Sequence, residues 1–310
     1  MTDSYLTPEI LTLVGTSSPG RHGLISANGI EKFAAAIDDH NPLYFDRVAA
    51  RAAGYADVIA PPLYAAAATR PAPFRDGLLD DGQYETAAPP GLTHLQTMLA
   101  GQNWELIRPA VAGEEVIETF TTRSITERMG STGTIVFVDK EATIMTPGGD
   151  LIQRYTNTLI LRTPPPPIAA FAGSDSDRRD SRPASLFEGD LLIKNPDKIT
   201  LFMFCAAIWA VHRIHWDAPY ARSEGLPDAI LPGWMVSSYL AQLAEARAPQ
   251  GMRLGKINVR YKGLAFPGDT LTCSATPISG QAGLQLSATN QSGGEISTGD
   301  TSYVTAGKPG

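Results

Sequence analysis

The sequence predicts an α+β protein built from two repeats, each a long helix wrapped by an antiparallel sheet. Helix-forming segments come first in each half, and β-rich runs with alternating apolar residues follow. A strand–turn–strand pattern occurs once in each half, as RPAVAGEEV from Arg108 and as KGLAFPGDTL from Lys262. These observations together indicate an internal repeat of roughly half the chain.

The first repeat is expected to span residues 1–162. We predict a helix over 33–37 that ends before Pro42, because proline restricts the residue before it and cannot continue the helix. A second short helix is expected over 47–53. Alternation over 102–162 predicts long antiparallel strands with one covered face.

Residues 163–189 are expected to link the repeats, because four prolines at 164–167 favour an extended conformation and a polar, apolar-poor stretch follows. The second repeat, 190–310, starts with a predicted helix over 199–211. A short helix over 220–223 and a longer amphipathic helix over 231–248 precede its strands.

Composition excludes several classes of function. The chain has 310 residues and 43% hydrophobic residues, enough for two globular domains. A net charge of −7 argues against a general nucleic-acid binder. The two cysteines form neither a disulfide framework nor a zinc motif, and they fit a reducing cytoplasm.

Targeting and cofactor signals are also missing from the sequence pattern. MTDSYLTPEI lacks the basic and apolar regions of a signal peptide, and no apolar run approaches the ~18 residues needed to span a membrane. We therefore expect a cytoplasmic protein without a membrane span. Neither metal-ligand spacing nor a Gly-rich phosphate loop occurs, so we expect no metal and no other cofactor.

An apolar helix leads into a polar cluster within residues 204–233. His212 and His215 lie three residues apart, with Arg213 and Asp217 beside them. Polar groups at the end of a buried helix need partners or a function, so we predict an active site here.

Motifs in both halves resemble the MaoC-like hydratases and dehydratases. FAAAIDDHNPLYFD resembles the family pattern F-x-x-x-x-G-D-x-N-P-[IL]-[HY]-x-D, and IAPPLY resembles the N-terminal MaoC-like dehydratase repeat. HRIHWDAPYARSEGL, followed by PGWM, is similar to the HRIHYD motif of fused double-hotdog enzymes of the mesaconyl-CoA hydratase type. RYKGLAFPGDTLT is similar to the strand–turn–strand after the active site in these enzymes. The resemblance covers nearly the whole chain except the linker and implies a double hotdog fold.

The resemblance implies a hydro-lyase acting on an acyl thioester of coenzyme A or of an acyl carrier protein. Such enzymes typically use a histidine, an acidic or amide partner five residues before it, and a glycine N–H that holds the thioester oxygen. His215 matches the histidine, and Gly233 matches the glycine and opens a helix. The expected partners are therefore a small-molecule or carrier-bound thioester and a second copy of the chain in a homodimer.

The partner position is where the sequence departs from the family, because it holds Ala210, preceded by Trp209. A methyl group cannot orient water or imidazole. Either Asp217, His212 or Asp39 replaces the missing group, or the reaction has changed to a cyclisation or isomerisation in a biosynthetic pathway. A third possibility is a non-catalytic acyl-binding partner. The bulk of Trp209 predicts a more apolar pocket.

The first half keeps one of the three family residues. Asp39 matches the aspartate, but Tyr44 stands at the histidine position and Pro62 at the glycine position. Tyrosine, with a usual pKa near ~10, is a poor base at neutral pH, and proline has no N–H to donate. We therefore predict a non-catalytic repeat that shapes the acyl pocket, with Asp39 also interpretable as a cap or turn residue.

The remaining polar and aromatic residues have two interpretations each. Arg213 binds a carboxylate or phosphate of the substrate, or it pairs with Asp217, which is also a typical helix cap. His212 is a second acid/base or a hydrogen-bond donor to the backbone. Trp234 is a substrate contact or a core residue, and Tyr44 is predicted to contact substrate. Pocket depth is expected to depend on segments 56–73 and 223–232.

Overall fold

The computed structural model describes residues 4–84, 88–130, 133–168 and 185–306. Its strands form one antiparallel sheet in the order β1-β3-β4-β5-β2-β8-β11-β10-β9-β7-β6. The strands are β1 (Arg21–Leu24), β2 (Gln96–Leu106), β3 (Glu115–Gly130), β4 (Gly133–Met145), β5 (Leu151–Arg162), β6 (Ser185–Glu188), β7 (Leu191–Lys194), β8 (Met252–Tyr261), β9 (Leu271–Pro277), β10 (Leu284–Thr289) and β11 (Glu295–Thr305).

The two halves of the chain meet inside this sheet. Strand β2 of the first half pairs with β8 of the second, in a register from Gly101 opposite Arg260 to Glu105 opposite Lys256. Every other strand pair joins two strands of the same half. The sheet is therefore continuous from the first predicted repeat to the second. The predicted α+β double hotdog is confirmed.

Five of the seven α-helices in the described residues start after a residue whose side chain caps the first turn. The helices are α1 (Pro8–Leu11), α2 (Ala27–Ala36), α3 (Arg47–Ala52), α4 (Ala65–Ala68), α5 (Lys198–Ala207), α6 (Ala218–Ser223) and α7 (Gly233–Ala246), with 3₁₀ turns at Pro42–Tyr44, Arg75–Gly77 and Arg213–His215. The Ser26 hydroxyl accepts from the Gly29 N–H at 3.0 Å at the start of α2. The Asp197 carboxylate accepts from the Thr200 N–H at 2.7 Å at the start of α5.

Equivalent helices α2 and α5 end in the same way. The C-cap residue is Ile37 in one and Ile208 in the other. The next residue has a positive φ in both cases, 50° at Asp38 and 52° at Trp209. A 3₁₀ turn follows each of them, which places the two family motifs in the same local geometry.

The long helix expected in each repeat is present in the second half alone. Helix α7 has 14 residues and is buried over most of its length, whereas α4 at the corresponding place has 4. Prolines at 61, 62, 71 and 73 bracket α4, and each one removes a backbone donor. The first half therefore has no helix at this place that matches α7 in length.

The predicted helix boundaries shift by a few residues. Helix α2 starts six residues before the predicted 33–37, while α5 and α7 are shorter than predicted. Of the expected linker, residues 169–184 lie outside the described residues. Ser185–Glu188 is strand β6 and pairs with β7, so this end of the expected linker belongs to the sheet.

One apolar core runs across both halves. The Phe33 ring of α2 lies 5.6 Å from the Phe204 ring of α5, centroid to centroid. Trp104 of β2 lies 6.0 Å from Trp234 of α7. These contacts bury the helices of the two halves against each other, so the halves share one hydrophobic core. Among the described helices, none combines the length and the hydropathy that crossing a membrane requires.

Candidate active site

A cavity of about 520 Å³ lies where the halves meet. Its walls come from β2 and segment 82–84 of the first half, and from the 3₁₀ turn Arg213–His215 and the start of α7 in the second. His215, Gly233, His212 and Trp234 line this cavity, as does Ala210. The structure thus brings together the second-half residues that the sequence motifs single out.

The His215 imidazole is held by a backbone carbonyl. Its Nδ1 lies 2.9 Å from the Ile230 oxygen, and since a carbonyl only accepts, Nδ1 carries the proton. Nε2 is then an unprotonated acceptor. Burial lowers the pKa of His215 to about 4; the Ile230 hydrogen bond opposes this, and the charges of His212 and Arg70 add to it. The imidazole is therefore neutral at pH 7.

Gly233 is the first residue of α7, and no side chain caps this helix. The N–H groups of its first turn therefore carry the positive end of a helix dipole on the cavity wall. A Cβ at Gly233 would lie 2.9 Å from the Tyr261 ring. That ring is held in place because the Tyr261 hydroxyl donates to the Gln102 Oε1 at 2.7 Å and contacts the Ser237 hydroxyl. Close packing thus requires glycine here.

His212 is paired with an acid from the other half, Asp81. The His212 Nε2 lies 3.4 Å from the Asp81 Oδ2, and the Arg213 N–H donates to the Asp81 carbonyl at 2.8 Å. Burial raises the pKa of Asp81, but hydrogen bonds from His212 and Gln83 outweigh it and lower the value to about 2. Of the two interpretations of His212, the hydrogen bond to the backbone is therefore not the contact that its Nε2 makes. The His212 and His215 ring centroids are 6.0 Å apart.

Gly82 allows the segment around Asp81 in the first half to approach the backbone before His212 closely. Its φ is +84°, and a Cβ would lie 2.3 Å from the Val211 carbonyl oxygen. The backbone of the loop therefore packs directly on the backbone before His212. The sequence analysis assigned no role to Asp81; the Asp-Gly turn at 81–82 was the available signal, but it does not reveal the contact.

Arg213 and Asp217 pair with each other rather than entering the cavity. The Arg213 guanidinium donates to the Asp217 Oδ2 at 2.7 and 2.9 Å, and it lies 4.3 Å from the Tyr220 ring centroid. Asp217 also accepts from the Tyr220 N–H at 3.1 Å and caps α6. Of the predicted roles, the structure has the ion pair and the cap. Asp217 is therefore not positioned to replace the partner missing at Ala210.

The expectation that Trp209 reshapes the cavity is wrong, because the Trp209 side chain does not lie at the cavity wall. Its side chain is 45% exposed and is not part of the cavity wall among the described residues. The cause is the positive φ of 52° at Trp209, which turns the chain before Ala210 enters the cavity. Trp234, in contrast, is 8% exposed and lines the cavity with its ring packed near Phe33 and Trp104.

Asp39 and Tyr44 lie in a different pocket of about 480 Å³, together with Gln242 and Glu245. The Asp39 carboxylate accepts from the Asn41 N–H at 3.1 Å, which is a turn-residue geometry. Burial raises the pKa of Asp39 and, to a larger extent, that of Tyr44. Neither residue lines the cavity of His215, so the expectation that Asp39 replaces the missing partner, or that Tyr44 contacts the same substrate, does not fit the geometry.

Sequence reasoning also missed Arg70, which lines the His215 cavity from the first half. Its Nε donates to the Ile208 carbonyl at 3.2 Å. Its guanidinium carbon lies 5.7 Å from the Trp234 ring centroid and 5.5 Å from that of Tyr84. Nothing in the flanking Thr-Arg-Pro sequence distinguishes Arg70 from a surface arginine.

The cavity wall has an unbalanced charge. Arg70, Arg162 and Lys262 line it, and no Asp or Glu does so among the residues that the structure describes. The chain as a whole carries a net charge of −7. The positive wall of this cavity is therefore a local feature that suits an anionic ligand. Within the same described ranges, no group of three or more His, Cys, Asp or Glu residues is arranged to hold a metal ion.

Comparison with known families agrees with this geometry. Residues 12–154 match the FAS1-like dehydratase domain region, and residues 194–293 match the MaoC-like domain. The chain belongs to the MaoC-like hydratase/dehydratase family, in its double-hotdog form. Family membership supports a hydro-lyase with acyl-CoA hydratase-like activity.

Relatives of this MaoC-like protein match parts of it. A UPF0336 protein of Parafrankia sp. is 34% identical over 139 residues, 44% of this chain and 83% of the relative. The mesaconyl-C(4)-CoA hydratase of Chloroflexus aurantiacus is 28% identical over 159 residues, 50% of this chain and 53% of the relative. Among solved structures, a MaoC-like dehydratase has a TM-score of 0.72 at 18% identity and covers 96% of this chain and 99% of its own. The MaoC-like dehydratase of Phytophthora capsici has a TM-score of 0.69 at 16% identity, with 94% and 96% covered. At these identities the structural matches establish the fold alone.

Proposed function

We propose that this protein is an acyl-thioester hydratase or dehydratase whose second half, 190–310, carries the chemistry. One observation carries the proposal. The neutral His215, with its Nδ1–H tied to the Ile230 carbonyl, shares a cavity with Gly233 at the uncapped start of α7. A base and an oxyanion donor on one cavity wall are the two groups that hydration of an enoyl thioester requires.

In the hydration direction, water adds across the C2–C3 double bond of a 2-enoyl thioester. The His215 Nε2 takes one proton from the water as its oxygen bonds to C3. The electron pair of the double bond moves into the thioester carbonyl, and the Gly233 N–H with the α7 dipole stabilises the resulting enolate oxygen. C2 then takes the proton that the His215 Nε2 holds, the carbonyl re-forms and the imidazole returns to its neutral form. Dehydration is the reverse sequence.

His212 is proposed to take over the role that Ala210 cannot fill. Asp81 holds the His212 Nε2 side at 3.4 Å, and the ring lines the same cavity as His215. An imidazole whose ring orientation is fixed by a carboxylate is a suitable second acid or base. The first half would thus supply the acid that the second half has lost, through a loop rather than through Asp39.

The first half, 1–162, is proposed to shape the acyl pocket rather than to catalyse. It contributes Gln102 and Trp104 of β2, as well as Tyr84, to the cavity wall. Its own motif residues, Asp39 and Tyr44, lie in the separate pocket. The carrier is proposed to be coenzyme A or an acyl carrier protein, and the assembly a homodimer.

The test is hydration of 2-enoyl-CoA thioesters of four to eight carbons, followed by loss of absorbance of the conjugated thioester. We expect wild-type turnover and a loss of about 10³-fold in kcat/KM for His215→Ala, because the reaction loses its base. Tyr44→Phe, at the equivalent position of the first half, is the matched control and should retain wild-type activity. Full activity of His215→Ala on every accepted thioester would contradict the proposal.

A second candidate is an isomerisation or cyclisation by proton transfer on the same scaffold, and Ala210 favours it. Without a water-holding side chain at 210, His215 could move a proton between carbons of the acyl group. Turnover in H₂¹⁸O separates the two reactions by mass spectrometry of the product. Incorporation of ¹⁸O supports hydration; a product without the label supports proton transfer. Binding of acyl-CoA without turnover would instead support a non-catalytic acyl-binding subunit.

A further inference from the structure

The two pockets of the molecule differ in the sign of their charge. Arginine and lysine side chains line the His215 cavity, whereas the carboxylates of Asp38, Asp39 and Glu245 line the second pocket of about 480 Å³. Among the residues that the structure describes, neither Lys nor Arg lines this second pocket. His40 lines it and pairs with Asp38 at 3.0 Å. Asp39 and Glu245 have no ion-pair partner within 4.0 Å in the described part of the chain.

Two cations act on these carboxylates without lining the pocket, and backbone carbonyls hold both of them. Lys194 donates to the Ile37 carbonyl at 2.6 Å, at the end of α2. Arg253 donates to the Leu106 carbonyl at 2.8 Å. Burial raises the pKa of both carboxyls, although backbone hydrogen bonds and these two cations oppose it. A cation that enters the pocket would therefore meet two carboxylates that lack a close counterion.

Gln242 supplies a buried acceptor without a partner at the same wall. Its side chain is 6% exposed, and its Nε2 donates to the Asp38 carbonyl at 3.2 Å. Because a carbonyl only accepts, this bond fixes the orientation of the amide and thereby the place of Oε1. Oε1 is buried and has no hydrogen-bond partner within the described ranges. An unpaired buried acceptor destabilises the folded chain, so a ligand N–H that reaches Oε1 would supply the missing bond.

The last turn of α7 favours a cation in this pocket as well. The helix ends at Ala246 and has no basic residue in its last turn, which contains Glu245. The C-terminal end of a helix carries partial negative charge, so a carboxylate is unfavourable there and a cation is favourable. Leu186 and Phe187 of β6 line the same pocket and are 41% and 46% exposed. The pocket thus combines a negative wall with an apolar one.

We propose that this second pocket binds a primary alkylamine in its ammonium form. The three N–H donors of an ammonium group match the carboxylates of Asp39 and Glu245 and the Oε1 of Gln242. The alkyl chain would lie on Leu186 and Phe187 and lose its contact with water. None of these five residues lines the His215 cavity, so the site is separate from the proposed hydratase chemistry.

The experiment measures binding of n-hexylamine to the full chain at pH 7 by saturation-transfer difference NMR. 1-Hexanol has the same alkyl chain without the charge, and hexyltrimethylammonium has the charge without N–H donors. We expect a Kd for hexylamine about tenfold lower than for either of the other two, because charge-assisted hydrogen bonds are the strong ones.

Two variants remove one charge each and keep the local backbone contact. Glu245→Gln keeps the oxygen that accepts from the Leu254 N–H, and Asp39→Asn keeps the one that accepts from the Asn41 N–H. In each variant we expect hexylamine to lose most of its advantage over hexanol. If one variant does not fold by circular dichroism, the other decides.

Two further variants control for general charge and test the unpartnered oxygen. Glu31→Gln removes a carboxylate from the exposed face of α2 and should retain the full preference for hexylamine. Gln242→Met removes Oε1 and keeps both carboxylates, so it should weaken hexylamine binding a few-fold and leave hexanol binding unchanged.

Equal affinities for hexylamine and hexanol in the wild type, or a preference that persists in either folded carboxylate variant, overturns the assignment. Hexyltrimethylammonium binding as tightly as hexylamine would overturn it too, since that result shows attraction by charge without the N–H contacts. The proposed function is judged separately by the loss of hydration in His215→Ala, and neither result there affects the amine site.

Discussion

In the two halves of the molecule the motif has the same backbone geometry, but each half lacks a different motif side chain. In the first half the motif keeps its acid, Asp39, and has Tyr44 in place of the base. In the second half it keeps the base, His215, and has Ala210 in place of the acid. Both motifs follow a helix that ends at isoleucine and a residue with positive φ. The backbone conformation at the motif is thus the same in both halves, although the motif side chains differ.

A second difference concerns the helix after each motif. The second half has the 14-residue α7, which starts at Gly233 on the cavity wall, whereas the first half has the 4-residue α4 after two prolines. A short helix has little dipole and Pro62 has no N–H, so the first half offers neither the oxyanion donor nor the base that we propose for the second half. The two halves therefore differ in two of the proposed catalytic elements.

After His215→Ala, Gly233→Ala is the variant expected to have the largest effect. The added methyl group would meet the Tyr261 ring at 2.9 Å and displace either the ring or the start of α7. We expect a loss of about 10²-fold in kcat, similar to removal of one oxyanion donor. Steady-state kinetics with a 2-enoyl-CoA measures it. Gly148→Ala, where a Cβ meets nothing closer than 3.6 Å, is the matched control; an equal loss there would remove the oxyanion assignment.

His212→Ala is expected to have the next largest effect, about tenfold in kcat/KM, because it removes the proposed second acid/base. Asp81→Asn should act in the same direction, since the two side chains pair at 3.4 Å. His40→Ala serves as control, because His40 pairs with Asp38 at 3.0 Å on the surface of the first half. If His212→Ala has wild-type kinetics, His212 does not replace the water-orienting side chain that is missing at Ala210.

The pH profile distinguishes a buried histidine from an ordinary one. Because the folded-state pKa of His215 is lowered to about 4, the base form persists down to that pH. We expect kcat/KM to stay level from neutral pH to about 5 and to fall tenfold per unit below about 4. Asp39→Asn should leave this limb unchanged. A fall that begins near 6.5 would show an unburied imidazole; circular dichroism checks folding at each pH.

The same shift affects stability, with a definite sign. The unfolded chain protonates His215 near the ordinary 6.5 and the folded chain only near 4, so the unfolded state binds more protons between these values. The contribution of His215 to stability is thus complete above about 6.5 and is lost as the pH falls toward 4.

Ala210→Asn is expected to have the smallest effect, a few-fold increase in hydration of neutral enoyl thioesters. The amide would stand five residues before His215 on the same cavity wall and orient water. If the native reaction is a proton transfer, the same change should impair it. No change in either activity would indicate that His212 already holds the water.

The ion pair between Arg213 and Asp217 was predictable from the sequence, since a few neighbouring dihedral angles set its geometry. The shared cavity of His215 and Gly233, which belong to separate elements, was predictable from the resemblance to the family motifs instead. The placement of Trp209 was not predictable, because a single positive φ decided whether it or Ala210 enters the cavity.

Contacts between the halves were out of reach for a different reason. Arg70 meets the Ile208 carbonyl across 138 residues of sequence, and Asp81 reaches His212 from a loop with no motif of its own. Such contacts depend on how two repeats dock, which periodicity and spacing do not describe. The long helix expected in the first half also failed to form, although the prolines around Ala65–Ala68 were visible in the sequence.

Because β2 pairs with β8, the two halves meet in an interface like that between two subunits, although both belong to one polypeptide chain. The two halves recognise each other through five paired residues, a shared aromatic core and cations that each half lends to a helix end of the other. Since these contacts do not involve the connecting segment, two separately expressed fragments, 1–162 and 190–310, should find each other in the cell and restore the cavity. Such a split protein would let either motif be altered, labelled or exchanged while the other stays intact.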